Sequence, residues 1–179
     1  MFPRLMVVAV DRHLAARGLS FDAVVIGGSA LGLLGVIDRQ TRDFDVLAPS
    51  LPLEISDAAK DFAKAQRDLG VDLADDWLNN GPIQLREVLP PDWRSRVQPL
   101  FKGAAWSLET LGRADLLMTK LFALCDRGTD LPDCLALVPA EAELAAATPW
   151  LVLQDGNPDW RAHVVATIDD LGRRLGHGV

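Results

Sequence analysis

The sequence has only two cysteines, Cys125 and Cys134, with no CxxC spacing and no histidine ligand pattern beside them, so it encodes no disulfide framework. Free buried thiols in a reducing compartment are expected instead. Long hydrophobic runs are also missing: no apolar stretch approaches the roughly 18 to 20 residues that a membrane-spanning helix requires. The opening MFPRLMVVAVDRHL is interrupted by Asp11 and Arg12 and carries no small-residue cleavage site, which reads against a signal peptide and for the cytoplasm. Internal repeats, low-complexity tracts and glycine-serine linkers are absent, which argues against independent modules. His13, His163 and His177 show no ligand spacing. The tryptophans are scattered along the chain, which suits packing better than a base-stacking platform.

What is present is the material of a globular domain. A chain of 179 residues can bury a real core, and 49% hydrophobic against 24% charged residues excludes a disordered protein. The net charge of -7 repels polyanions as a whole, so any nucleic-acid contact has to be local. The charge is divided along the chain: residues 43–80 carry nine acids against three bases, whereas residues 93–127 carry Arg94, Arg96, Lys102, Arg113, Lys120 and Arg127 against Glu109, Asp115 and Asp126.

Periodicity predicts a helix over about 2–17, closed by Gly18, then a short apolar strand at 23–26 of the kind buried on both faces. A small-residue helix follows at 29–37 and a second strand at 44–48, ended by Pro49 and Pro52. Ser56 reads as the cap of a helix at 57–69 whose charged face needs no functional explanation. Beyond it, 71–73 reads as a short strand, 83–88 as strand or helix, and 105–110 as a strand. Helices are expected at 113–127, 133–137, 140–147 and 158–175, the last capped by Asn157. Strands first and helices last is an α+β pattern.

The chemistry concentrates in VVIGGSALGLLGVIDRQTRDFDVL, residues 24–47. Gly27, Gly28 and Ser29 stand where a buried strand turns into a helix, a place whose unpaired N–H groups favour an anion. Ser29 adds a hydroxyl donor. Asp43 and Asp45, two apart at the start of a strand, point to one face, where two carboxylates repel unless a cation or basic partner is present. Mg²⁺ commonly takes one or two carboxylates plus phosphate oxygens. Arg39 and Thr41, in the connection, are placed to contact phosphate or to fix the second strand. Other templates fit poorly. GGSALG has serine at the middle glycine of GxGxxG, no lysine follows the glycines as a P-loop demands, and Leu31 occupies the last glycine of GxSxG. The purely structural alternative is a tight glycine turn with capping or ion-paired aspartates.

GGSAL followed by the RxTxDxDV of Arg39, Thr41, Asp43, Asp45 and Val46 resembles the signature of the nucleotidyltransferase-fold superfamily. More narrowly it is similar to small bacterial AbiEii-like and minimal-nucleotidyltransferase-like proteins, some of them toxins of type IV toxin-antitoxin systems. The segment LLMTKLFALCDRGTDLPDCLAL resembles their helical K-L-x-A…R-x-K-D-x-x-D-L block, with Thr129 in place of lysine and Pro132 just before Asp133. The resemblance implies an α+β fold: a nucleotidyltransferase core over 1–112, with a small mixed sheet and flanking helices, and a helical extension over 113–179 packed on it. It implies transfer of a nucleoside monophosphate from an NTP to an acceptor hydroxyl on RNA, protein or a small molecule, with an antitoxin as a possible protein partner. Gly27, Gly28 and Ser29 would hold phosphates, Asp43 and Asp45 would bind Mg²⁺, and Lys120 would contact the nucleotide. Asp130 and Asp133 would act as base or orient the acceptor. A third carboxylate is expected from Asp72, Asp76 or Glu87, with Asp72 first because VDL resembles a strand. Without one, the expectation becomes a catalytically lapsed domain that binds nucleotide or protein. An interaction protein with ion-paired aspartates is the reading outside this class.

Overall fold

The computed structural model describes residues 4–39, 41 and 43–178. By its internal contacts the chain divides into two compact units, residues 1–111 and 112–179. The first contains α1 (Arg4–Ala15), β1 (Phe21–Ile26), α2 (Gly27–Leu33), β2 (Phe44–Ala48), α3 (Leu53–Asp68), β3 (Leu78–Asn79), α4 (Leu85–Val88), a 3-10 turn at Trp93–Arg96, β4 (Gln98–Lys102) and β5 (Trp106–Thr110). The strands form one open mixed sheet in the order β3-β2-β1-β5-β4. Central β1 runs antiparallel to β2 and parallel to β5, β3 is parallel to β2, and β4 is antiparallel to β5. Residues 23–26 of β1 are buried on both faces of the sheet, which explains the uninterrupted Ala23-Val24-Val25-Ile26 run.

One face of this sheet carries the core. Phe21, Ala23 and Val25 of β1, Phe44 and Val46 of β2, and Trp106 and Leu108 of β5 pack beneath buried residues of α1 and α3. Trp77 joins them: its ring centroid lies 6.3 Å from that of Trp106, and its Nε1 donates to the Ala59 carbonyl at 2.9 Å. Phe44 and Val46 point into this core, so Asp45 between them falls on the opposite face. His13, which the sequence left without a role, ties α1 to α3 through a 2.9 Å hydrogen bond to the Ala58 carbonyl.

A second tie runs from α1 to the β4–β5 turn. The backbone N–H groups of Ala105 and Trp106 donate to Asp11 Oδ1 at 2.7 and 2.8 Å. Burial raises the Asp11 pKa, but the hydrogen bonds from Ala105, Trp106 and Ala104 outweigh that effect and hold it below the usual value. Asp11→Ala is therefore expected to cost about 2 kcal/mol, the usual worth of charge-assisted bonds. The depressed pKa places this contribution above pH 3.8, the unfolded value, and removes it as pH falls through the folded pKa. Urea melts of the variant and the parent should differ at pH 7, and the difference should shrink as the pH falls below 3.8 and through the folded pKa.

Several element boundaries differ from the sequence reading. α3 starts at Leu53 rather than after Ser56, because Pro52 has a φ of -61° and its carbonyl accepts from Ile55 and Ser56 N–H at 3.1 and 3.0 Å. α2 ends at Leu33, where Gly35 at φ 75° turns the chain out of the helix. Residues 71–73 are not a strand; the pairing segment is Leu78–Asn79, inside the DDWLNNGP stretch whose asparagines, glycine and proline read as a turn, where it lines up beside Phe44 and Asp45. Residues 83–88 resolve as the short α4. β4 escapes periodicity because it is an edge strand with Pro99 and a register shift between Pro99 and Phe101.

The second unit is helical: α5 (Arg113–Arg127), α6 (Leu131–Ala136), α7 (Glu141–Val152) and α8 (Trp160–Arg174). α7 runs through Pro149, kept helical by fully buried Leu151 and by Trp150, whose ring packs 6.2 Å from that of Phe122. α8 begins at Trp160, two residues later than expected, with Asn157 Oδ1 accepting the Asp159 N–H at 2.9 Å ahead of it. Arg113 holds the α6–α7 turn, donating to Glu143 Oε1 at 2.7 Å and to the Leu137 carbonyl at 2.9 Å.

Candidate active site

The strand-turn-helix junction and the aspartate strand meet in space. β1 ends at Ile26, which pairs with Asp45 on β2, so the chain leaves β1 beside the Asp45 carboxylate. Gly27 follows with φ 77°, a conformation that only glycine adopts without strain. A Cβ on Gly27 would stand 2.5 Å from Asp45 Oδ2. The glycine is thus required twice, by its backbone angle and by the carboxylate against it. Gly28 is closed in a second direction: its Cβ would meet Thr41 Cγ2 at 2.6 Å and Arg39 Nη2 at 3.4 Å. Thr41 Oγ1 is buried with no hydrogen-bond partner among the described residues. Such an orphan is costly unless a ligand satisfies it.

Ser29 behaves differently from expectation. It is 2% exposed and its hydroxyl donates to the Ile26 carbonyl at 3.3 Å, so its proton is used inside the turn. Asp45 is half-buried, and Asp43, immediately before β2, is exposed. On the far side of Asp45 lies the turn 79–81, which sequence reasoning passed over. Asn79 is the β3 residue in register with Asp45. The place a Gly81 Cβ would take is 2.8 Å from Asn79 Oδ1 and 4.0 Å from Asp45 Oδ1. Asn80 fixes this turn to the end of β2: its Nδ2 donates to the Val46 and Pro49 carbonyls at 2.9 and 3.2 Å, and its Oδ1 accepts Leu51 N–H at 2.6 Å. The one legible signal was the NNG run itself.

The candidates for a third acid are all exposed. Asp72 and Asp76 are exposed in the loop before β3, and Glu87 is exposed on α4. Among the described residues no group of three or more His, Cys, Asp or Glu side chains could hold a metal ion.

The second block lies in the helical unit and is buried. Lys120 Nζ, 6% exposed, contacts Asp130 Oδ1 at 2.8 Å and Asp133 Oδ2 at 2.6 Å. Arg127 Nη2 reaches Asp130 Oδ2 at 3.1 Å. Two cations meet two carboxylates, so the charge balances. Burial lowers the Lys120 pKa, but the bonds to Asp130 and Asp133 outweigh it and the net shift is upward. Asp130 is likewise pushed up by burial and brought net below its ordinary value by Lys120 and Arg127. Pro132 does not break this block: it sits in the first turn of α6, where no helical N–H is needed. Cys125 and Cys134 are buried free thiols with pKa values raised by desolvation to about 11 and about 12.

Central β1 lies between β2 and β5, and its glycine turn opens a helix beside Asp45 of β2, an arrangement in line with the nucleotidyltransferase signature that the sequence resembles. The comparison with known families agrees. Residues 5–136 match the family described as "nucleotidyltransferase of unknown function (DUF6036)", and the chain belongs to that family. No curated protein and no solved structure matches it.

The double requirement at Gly27 gives a test with a built-in control. Gly35 has nearly the same φ, 75°, but a Cβ there would meet nothing within 4 Å. Gly35→Ala is expected to cost only the left-handed strain, about 1–2 kcal/mol. Gly27→Ala should cost clearly more in the same chemical melts, because the carboxylate of Asp45 must also move.

Proposed function

We propose that this chain is a Mg²⁺-dependent nucleotidyltransferase moving a nucleoside monophosphate from an NTP to an acceptor hydroxyl, of the AbiEii-like, toxin-antitoxin-associated kind. The observation that carries the reading is the contact between Gly27 and Asp45. A scaffold turn needs glycine for its φ, but gains nothing from a carboxylate pressed against it. A site that must bring phosphate and metal together does.

The residues suit the ion. Asp45 and Asp43 offer hard oxygens, and glycine replaces side chains on two sides of Asp45, leaving the cradle that a Cβ would fill. Mg²⁺ characteristically keeps waters and shares substrate phosphate oxygens, so two protein carboxylates suffice. When bound, the ion would neutralise charge developing on the transferred phosphoryl group. Thr41 Oγ1 would donate to a phosphate oxygen, the Arg39 guanidinium would balance its charge, and Gly28 would let it approach the backbone. Ser29 shapes the turn through Ile26. Lys120, Asp130 and Asp133 hold α5 to α6 and need no nucleotide to balance their charge.

A second reading, nucleotide or protein binding without transfer, is favoured by the missing third acid among the described residues. Incubation with each α-labelled NTP, Mg²⁺ and either total RNA or protein separates the two. Label that becomes covalently attached, and fails to attach when EDTA is present from the start, supports transfer and identifies the acceptor class. Nucleotide retained by the protein but never transferred supports the second reading.

A further inference from the structure

We propose that Asn79 supplies the third oxygen of the cation site, a neutral amide carbonyl where a third carboxylate was expected; this rests on the Mg²⁺ site proposed above. Its placement comes from strand pairing. β3 is only two residues long, yet it sets Asn79 in parallel register with Asp45, which puts both side chains on the same face of the sheet. Asn79 Oδ1 and Asp45 Oδ1 both lie within 4.0 Å of a single point, the empty position of a Gly81 Cβ. A side chain at 81 would press on Asn79 Oδ1 and reach contact distance of Asp45 Oδ1.

The amide is oriented for the role. Asn79 Nδ2 donates to the Asp76 carbonyl at 3.4 Å, and Oδ1 accepts Gly81 N–H at 2.7 Å, so the oxygen is turned toward the glycine. A carbonyl oxygen has a second lone pair, which remains for a cation or its bound water. Asn80 keeps the turn in place through its bonds to Val46, Pro49 and Leu51, and so acts as a positioning residue. The consequence is a site with one negative charge fewer than three acids would give. Such a site holds its ion weakly alone and depends on phosphate oxygens to complete it, since affinity rises with ligand charge.

The test uses Mn²⁺ alone, read by electron paramagnetic resonance, on the full chain and on Asn79→Asp, Asn79→Ala and Asp45→Asn. Asn79→Asp is expected to tighten Mn²⁺ binding by about tenfold or more, and to gain more thermal stability from a given Mn²⁺ concentration than the parent does. Asn79→Ala should weaken binding by roughly 3- to 10-fold, and Asp45→Asn should remove it. Parent affinity in both Asn79 variants, with binding still lost in Asp45→Asn, would overturn the role of Asn79 and leave the cation site standing. Absence of Mn²⁺ binding in the parent chain would overturn the cation site and this inference together. Should Asn79→Asp fail to fold, Asn79→Ala decides: parent affinity there contradicts the proposal.

Discussion

Asp45→Asn is expected to abolish label transfer from an NTP, lowering the rate by about 10³-fold or more. A metal contributes several kcal/mol of charge stabilisation at a phosphoryl group, and each ~1.4 kcal/mol is tenfold in rate. Losing the half-buried carboxylate beside Gly27 removes the central donor, whereas losing exposed Asp43 leaves it in place; Asp43→Asn should therefore be the milder variant. The substitution is isosteric, so the melting temperature should stay within a few degrees of the parent. A variant that keeps its fold and more than a tenth of its activity would place the chemistry elsewhere.

The second large effect is on stability. Lys120→Met should destabilise the helical unit by about 3–5 kcal/mol, because it leaves Asp130 and Asp133 buried without their cation. Removing the three buried charges, in Lys120→Met, Asp130→Asn, Asp133→Asn, should recover most of the loss, since the Arg127 left behind is exposed to solvent. The pH dependence follows from the shifts. The depressed Asp130 contributes stability above pH 3.8 that is lost as pH falls through its folded pKa. The raised Lys120 contributes stability below pH 10.5 that is lost as pH rises through its folded value. Between those limits the network's contribution is flat. Urea melts followed by tryptophan fluorescence report on this unit through Trp150 and Trp160. The same variant tests the resemblance-based role: a nucleotide ligand would lose affinity without losing stability, and a buried ion-pair centre would lose stability first.

The meeting of the glycine turn with Asp45 in the candidate site was legible because its signals are local. A continuous apolar strand, two glycines and alternate aspartates each have a direct physical meaning, and their pairing as β1 and β2 spans a short connection. The fold class followed from strands preceding helices. What stayed hidden depends on distant pairing. β3 has two residues and no period to detect, so Asn79 and Gly81 read only as a turn until the parallel register with Asp45 is seen. The same shortness made 71–73 look like the better strand and put Asp72 forward. The Lys120 ion pairs show another limit: no local pattern in the sequence links Lys120 to Asp130 and Asp133, which meet it from the start of the next helix. The Ser29 hydroxyl illustrates a third limit, since a residue type shows that a donor exists and not whether a neighbouring carbonyl already uses it.

Isothermal calorimetry of each NTP with Mg²⁺, on the native chain and on an Asp43→Asn, Asp45→Asn double variant, tests the central claim most directly. The account predicts binding that requires Mg²⁺ and disappears in the double variant while its melting curve is preserved. Absence of binding to any NTP by the well-folded native chain, or undiminished binding by the variant, would contradict it.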